Sequence, residues 1–337
     1  MRRKASLILL GFAVFFAALS PLLRFYAFPR LAKVPANQYQ TMVLEAKGAS
    51  VMDMAEGGVK KTDLSIVQTL RGNVEESEKI EESAGRDVVV WDGLSYAQDS
   101  DGKMVTMIPE RYIFDAHSAE PLHATGEMAD KQPVKREGLE FKWPFLTEKR
   151  DYKYFDARSR TTNTIFFKGE QKFRGLDVYY FEQTIDWMKV DFPSTMPGGY
   201  KISKEQLKAS KTEMWYTTVR KFWVDPTTGA PVYGEEIHKE EMRGGTLVEG
   251  LAPGKDKLTV FDGHVKMRED FIESTVDLVK SNRVLVLLMT SYLPWGFLIL
   301  GALLLSLSLW LEARSRRPGD DPEGSGERTP EPEPAGV

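Results

Sequence analysis

Two stretches of this chain are too apolar to leave in water and too long to be strands of a core. Residues 5–23 carry no charge over 19 positions, which at ~1.5 Å rise per residue matches a hydrocarbon layer of ~30 Å. Residues 284–311 carry none over 28, enough to cross with tilt or to begin above the bilayer. Tyr292, Trp295 and Trp310 suit the two interfaces, and Pro294 kinks that helix or marks its entry into lipid. Whatever else the chain folds is built between these two runs.

The first run reads as a retained anchor or as a cleaved signal peptide, since Arg2, Arg3 and Lys4 precede it. "FFAALSPLL" offers no clean small-x-small cleavage site, and Pro21 lies beside the best one, so retention is expected. Arg314, Arg316 and Arg317 follow the second run. Positive flanks favour the cytoplasmic side, although Arg24, Arg30, Lys33, Lys280 and Arg283 dilute the count. The expected layout has residues 1–4 in the cytoplasm, a span at 5–23, an exported β-rich domain at 24–263 with units 39–135 and 139–262, and a juxtamembrane helix at 264–283. A second span at 284–311 and a cytoplasmic tail at 312–337 complete it. The tail from Pro318 is acidic and rich in Pro and Gly, so it is expected to be disordered.

Six acids and one base lie within 318–337, so of the net charge of −4 the rest of the chain keeps about +1. A near-neutral body with scattered bases has no footprint for nucleic acid. The chain has no cysteine, which removes disulfides, thiol catalysis and a lipoprotein attachment site. Asn37, Asn73, Asn163 and Asn282 lack the glycosylation pattern. An exported domain with neither feature fits a bacterial envelope, anchored in the inner membrane with both termini cytoplasmic.

Between the runs the apolar pattern has period two, the mark of half-buried strands. Strands are expected at 39–46, 62–71, 87–97, 104–114, 152–157, 161–168, 176–186, 211–225, 231–242 and 257–262. The fold class is mainly β (α+β). In "TEMWYTTVRKFWV", Met214, Tyr216, Thr218, Arg220, Phe222 and Val224 share one face while Trp215, Val219 and Trp223 share the other, so both faces are covered. "IFDAHSAEPL" at 113–122 and "WVDPTTGAPV" at 223–232 align without gaps at an offset of 110. In both, a strand ends at Asp, turns, and re-enters at Pro. Asp115, Pro121, Asp225, Gly229 and Pro231 are the expected turn residues, with Asp bonding backbone N–H groups two residues on and Gly229 left-handed. Such a repeat makes the domain two stacked β-units sharing a core. Residues 264–284 have helical spacing that runs into the second span, and 190–210 interrupt the second unit with Pro, Gly and a short helix.

Catalytic constellations are not found. His117 and His123 lack a third ligand, and "DSDG" at 99–102 lacks the bidentate acid of a calcium loop. No cofactor or metal is expected. Glu235/Glu236 and Glu240/Glu241 point to opposite strand faces and read as solvated charges. The aromatic run 141–156 either lines an apolar groove or closes the core between the units. Phe141, Trp143, Phe145, Tyr152 and Tyr154, with Met196 and Tyr200 from the interrupting segment, are the candidate binding residues.

"GLEFKWPFLTEKRDYKYFD", "GLDVYYFEQTI" and "KFWVDPTTGAPV", set between two spans, resemble actinobacterial membrane proteins of a domain of unknown function labelled PorA-type porin. The resemblance covers roughly residues 1–312 and brings no catalytic residues with it. The strand and turn at 223–232 also resemble periplasmic lipoprotein carriers of the LolA and LppX kind, whose curved sheet wraps a lipid. An outer-membrane barrel is not expected, because two long apolar helices would hold such a chain in the inner membrane. The expected function is non-enzymatic: an anchored envelope protein whose β-domain binds a lipid, a lipoglycan or a membrane-protein partner. The alternatives are a porin component formed by homo-oligomerised helices, and an envelope hydrolase or transferase using carboxylates such as Asp225 or Glu235.

Overall fold

The computed structural model describes residues 2–54 and 57–315. The expected disorder of the tail falls on 316–337, outside them. The chain divides into a unit made of its two ends, 1–26 and 289–337, and a central unit, 27–288.

In the terminal unit, α1 (Arg2–Pro21) lies against α7 (Leu293–Ser315). The pair is antiparallel, because Ser6 meets Ser308, Phe16 meets Phe297 and Arg24 meets Thr290. Ser6 Oγ donates to the Ser308 carbonyl at 3.0 Å, and Ser308 Oγ returns the bond to Ser6 at 2.7 Å. Small hydroxyl residues let apolar helices approach closely and bond across. Each helix is continued at its inner end by a π-turn, Leu22–Ala27 and Leu288–Tyr292. Arg24 donates to the carbonyl of Thr290 in the second of these at 2.9 Å. Both long apolar helices are able, by length and composition, to cross a membrane, and their antiparallel packing puts Ser6 and Ser308 at the same end of the pair.

The central unit is one antiparallel sheet. Its strands are β1 (Tyr39–Asp53), β2 (Gly58–Gly72), β3 (Val88–Asp99), β4 (Met104–Asp115), β5 (Met128–Ala129), β6 (Gln132–Pro133), β7 (Tyr152–Asp156), β8 (Thr161–Phe173), β9 (Leu176–Val190), β10 (Glu213–Val224), β11 (Pro231–Arg243) and β12 (Lys257–Met267). Among the described residues they lie in the order β6-β5-β4-β3-β2-β1-β12-β11-β10-β9-β8-β7. Two six-stranded meanders thus stand side by side, joined where Leu44 pairs with Met267 and Val51 with Phe261. Backbone ladders make the two expected units, 39–135 and 139–262, continuous, so that among the described residues they are halves of one sheet. The strands also run longer than their apolar alternation, since pairing satisfies backbone groups whatever the side chains.

The sheet's two edges come together. Just past β6, Leu139 N–H donates to the Lys153 carbonyl at 2.9 Å, and the Leu139 carbonyl accepts from Phe155 N–H at 2.7 Å. Arg160 Nη1 donates to Gln132 Oε1 at 2.9 Å. The segment 190–203 straps the same seam, with Ser194 held by Asp130 through its N–H at 2.6 Å and its hydroxyl at 2.5 Å.

The helices of the central unit are α2 (Phe28–Leu31), α3 (Val74–Ala84), α4 (Lys204–Ser210), α5 (Gly245–Leu251) and α6 (Glu269–Leu287). The helix expected from residue 264 starts at Glu269, because His264 and Val265 belong to β12 and pair with Ile237 and Glu236 of β11. Ile272, Val276 and Val279 of α6 are buried with Leu176, Val178, Val232 and Met267. The unexpected α3 is capped by Asn73, which accepts from Glu76 N–H at 3.2 Å, and by left-handed Gly85.

The seam depends on one glycine. Gly138 has φ +79° and a Cβ there would lie 2.5 Å from the Lys153 carbonyl oxygen, whereas Gly102 has φ +77° with nothing within 4 Å. Gly102→Ala is expected to cost about 1–2 kcal/mol from backbone strain alone. Gly138→Ala is expected to cost clearly more, and denaturant melts of the two variants separate strain from collision.

Candidate functional site

Among the described residues the aspartate turn occurs three times. Asp115 Oδ1 accepts from Ser118 N–H at 2.9 Å and from Ser118 Oγ at 3.1 Å. Asp225 Oδ2 accepts from Thr228 N–H at 2.8 Å and Thr228 Oγ1 at 2.9 Å. Asp156 Oδ1 does the same with Ser159, both at 2.6 Å. In each the next residue is left-handed, Ala119 at 61°, Gly229 at 71° and Arg160 at 56°. The third turn, "DARSR", lacks the Pro that made the other two visible. The shared signal is Asp followed three residues later by Ser or Thr, whose hydroxyl and N–H together neutralise one carboxylate oxygen. Pro121 bridges back to Phe114, and Pro231 opens β11 opposite Val224.

The Asp225 turn is a dock. Trp143, Leu146 and Thr147 N–H groups donate to the carbonyls of Gly229, Thr227 and Pro226 at 2.8, 3.1 and 2.8 Å. A Cβ on Gly229 would lie 2.1 Å from the Trp143 carbonyl oxygen. Arg283 at the end of α6 reaches the buried Asp225 carboxylate at 3.2 Å. Glu235 engages Lys221, Tyr233 and His264 instead, so the two acids share no hydrogen-bond partner among the described residues.

The candidate binding residues lie mostly inside. Trp143, Tyr152 and Tyr154 are buried with Ile165, Phe181 and Val224. Phe141 packs half-buried against Trp91, Tyr112 and Phe114. Phe145 is half-buried and meets Phe28 edge-on, while Lys142 Nζ sits 3.8 Å over its ring. Met196 is buried in a second cluster with Met52, Met214 and Met242. Tyr200 is exposed.

The same interior holds a charge network that the sequence does not announce. Strand alternation sends Tyr216, Thr218 and Arg220 of β10 and Glu236, His238 and Glu240 of β11 to one face, where Asp156 and Arg158 meet them from the end of β7. Arg220 Nη2 donates to Asp156 at 2.9 Å and to Glu236 at 3.1 Å. Arg158 grips Glu240 with two nitrogens at 2.7 and 2.9 Å. The His238 ring lies between the acids, Nδ1 3.2 Å from Glu236 and Nε2 2.8 Å from Glu240. The Tyr216 hydroxyl donates to Asp156 at 2.8 Å, and the Thr218 hydroxyl to Glu236 at 2.7 Å. Glu236 and Glu240 are therefore not the solvated strand charges expected of them, although Glu235 and Glu236 do face opposite ways.

Three acids balance three bases once His238 is protonated. Burial opposes that charge, but hydrogen bonds to Glu236 and Glu240 outweigh it and push the imidazole up to about 9. Burial also opposes the charge on Glu240, yet Arg158 and His238 hold it down at about 2. Arg220 and His238 likewise keep the buried Glu236 well below the usual carboxylate range. Alongside, the buried Arg136 donates to Glu140 at 2.6 Å and packs 4.5 Å over the Tyr112 ring. Burial pushes Glu140 up to about 8 against the pull of Arg136. Every network acid named here is matched by a fixed donor, an arrangement suited to clamping strands and poorly suited to proton transfer with a substrate.

The outward face differs. Trp223 pairs across the ladder with Tyr180 and Tyr233, ring centroids 4.9 Å away on both sides, and Phe173 stacks on Tyr233 at 5.4 Å. The row is half-buried, because Phe173, Trp223 and Tyr233 pack against the cluster that Ile272, Val276 and Val279 of α6 form on this face. Trp223 Nε1 donates to Gln171 at 2.7 Å, and the Tyr180 hydroxyl to Glu182 at 2.8 Å. Around this row the same face carries ion pairs, Lys221 and His264 with Glu235 and Lys239 with Asp262.

Residues 5–310 match the family described as Porin PorA. Two relatives carry that description. One from Corynebacterium resistens is 25% identical over 254 residues, covering 59% of this chain and 61% of the relative. One from Corynebacterium amycolatum is 22% identical over 297 residues, covering 68% and 75%. The chain thus spans less than two thirds of the length of the first.

The raised imidazole gives a signed expectation. A folded value of about 9 against 6.5 means that His238 contributes its full stability below pH 6.5 and loses it as pH rises to about 9, on the order of 3 kcal/mol. Glu140 acts in the same direction between 4.5 and about 8. Melting curves taken from pH 6.5 to 9 should fall for the native protein, and more shallowly for His238→Gln. Parallel slopes would contradict the network's protonation state.

Proposed function

Because the chain belongs to the Porin PorA family, named for a porin and not for an enzyme, we propose that it is a non-catalytic envelope protein. Its helix pair anchors it in the inner membrane with both ends cytoplasmic, and its β-domain stands outside and binds a lipoglycan. The basic residues flanking both apolar helices at the chain ends support that orientation.

The sheet itself is a poor channel wall. A barrel in lipid needs an apolar outward row, and a charge there costs about 2–4 kcal/mol at mid-bilayer. Here the outward rows carry Lys221, Glu235, Lys239 and Asp262, while buried side chains occupy the inside.

The observation that supports ligand binding is the half-buried aromatic row Tyr180, Trp223, Tyr233 and Phe173, which borders α6 and is flanked by the acceptors Gln171, Glu182 and Glu235. Flat aromatic faces beside hydrogen-bonding groups suit the apolar faces and hydroxyls of sugar rings. Trp143, Tyr154 and Met196 are enclosed, so an acyl chain reaching them would have to displace the core. Full-length protein in detergent should bind lipoglycan extracted from a Corynebacterium envelope, and also its glycan after deacylation. Trp223→Ala should weaken both by at least about tenfold, the loss of one stacking contact of ~1.5 kcal/mol. Binding of the acyl portion alone would move the reading to a lipid ligand, and capture of only a protein would move it to a partner.

A channel component remains the second reading, favoured by the family's name and the closely packed helix pair. It expects oligomers of full-length protein to conduct in planar bilayers, with the conductance abolished when α1 and α7 are replaced by unrelated spans.

A further inference from the structure

Six of the 13 methionines, Met52, Met54, Met104, Met196, Met214 and Met242, gather at one end of the sheet. Four of them are buried in a single cluster, and Met54 packs against it. Beside that cluster a recess about the size of one water molecule opens to solvent, lined by Met52, Met54 and Met104 together with Asp53, Asp99 and Lys60.

The recess is poorly furnished for a hard cation. Asp99 is already engaged: it accepts from Lys60 Nζ at 2.6 Å and from the N–H groups of Asp101 and Lys103 at 3.1 and 2.8 Å. Among the described residues no group of three or more His, Asp and Glu is arranged to hold a metal, and the chain has no thiol. Three methionines from two strand ends line the opening, Met52 and Met54 at its cluster side and Met104 toward solvent. Thioethers are soft, neutral donors that select monovalent soft ions such as Cu(I) over Mg(II), Ca(II) or Mn(II). Lys60 and Lys103, which also lines the recess, do not forbid a single positive charge, because Asp53 and Asp99 stand in the same lining.

We propose that this recess binds one soft monovalent cation, Cu(I) or Ag(I), through the thioethers of Met52, Met54 and Met104. The site is independent of the lipoglycan reading and lies on other strands. Met196, Met214 and Met242 form the packed floor that fixes where the ligating side chains stand.

Ag(I) is the probe, since it needs no reductant. Full-length protein in detergent, labelled at the methionine methyl groups and kept in chloride-free buffer, is titrated with silver nitrate against a competing free thioether. The expected result is one retained equivalent, with methyl resonances of Met52, Met54 and Met104 shifting while those of Met214 and Met242 shift little. Met54→Leu/Met104→Leu should lose that equivalent. Met104→Leu alone, at a position 36% exposed, keeps the test open if the double variant folds poorly, and should weaken retention by about tenfold with unchanged melting. Shifts spread over all methionines, no retention against the competitor, or native retention in either variant would overturn the site.

Discussion

Charges buried inside a sheet have to cancel, and here the cancellation joins strands that sequence order keeps apart. Arg158 and Asp156 stand at the end of β7, an edge strand, while Arg220, Glu236 and Glu240 stand on β10 and β11. Pairing them requires the edge to curl over the sheet's inner face. A two-toothed contact such as Arg158 on Glu240 also fixes position along the strand, which apolar packing does loosely. Leu139 can then complete β7, and the strap at 190–203 can reach Asp130 from the far edge. Losing one partner would leave an unmatched charge where water cannot reach it, at a cost of about 3–5 kcal/mol.

The three aspartate turns serve that closure. Each swallows one carboxylate oxygen in a local Ser or Thr contact and leaves the other free. In Asp156 the free oxygen receives Arg220 and Tyr216, and Asp225 offers its other oxygen to Arg283. One local device thus ties a strand end to the inner network in one place and to α6 in another. The copies at Asp115 and Asp225 close the fourth strand of each six-stranded half, which is why they align at a fixed offset; the copy at Asp156 follows the first strand of its half and falls outside that pattern.

Membership in a porin family sits beside a sheet whose outward rows are salted with ion pairs and whose inside is filled. These features are compatible if the apolar helices, and not the strands, meet the lipid. The helix pair is long and apolar enough for that environment, and polar groups meet within it, Ser6 with Ser308 and Arg24 with the Thr290 carbonyl, as a segment in lipid would require.

The two apolar runs, the strand-rich middle, the turn residues Asp115, Asp225 and Gly229 and the opposite facing of Glu235 and Glu236 were all readable from residue order. Each depends on local periodicity or on the backbone preference of one residue. The helix α3 was not readable: "VEESEKIEESA" is nearly all polar and shows no apolar stripe. Nor was the boundary at residue 264, where helical spacing lost to ladder pairing with β11. Order along the chain fixed which faces exist and which helices are long and apolar enough to cross a membrane. Tertiary structure alone decided that the halves join as one sheet, that its edges meet, and that Glu236, His238 and Glu240 turn inward to Arg158 and Arg220. Whether a strand's polar row meets water or a distant counter-charge depends on what folds over it, and that partner is as many as 82 residues away.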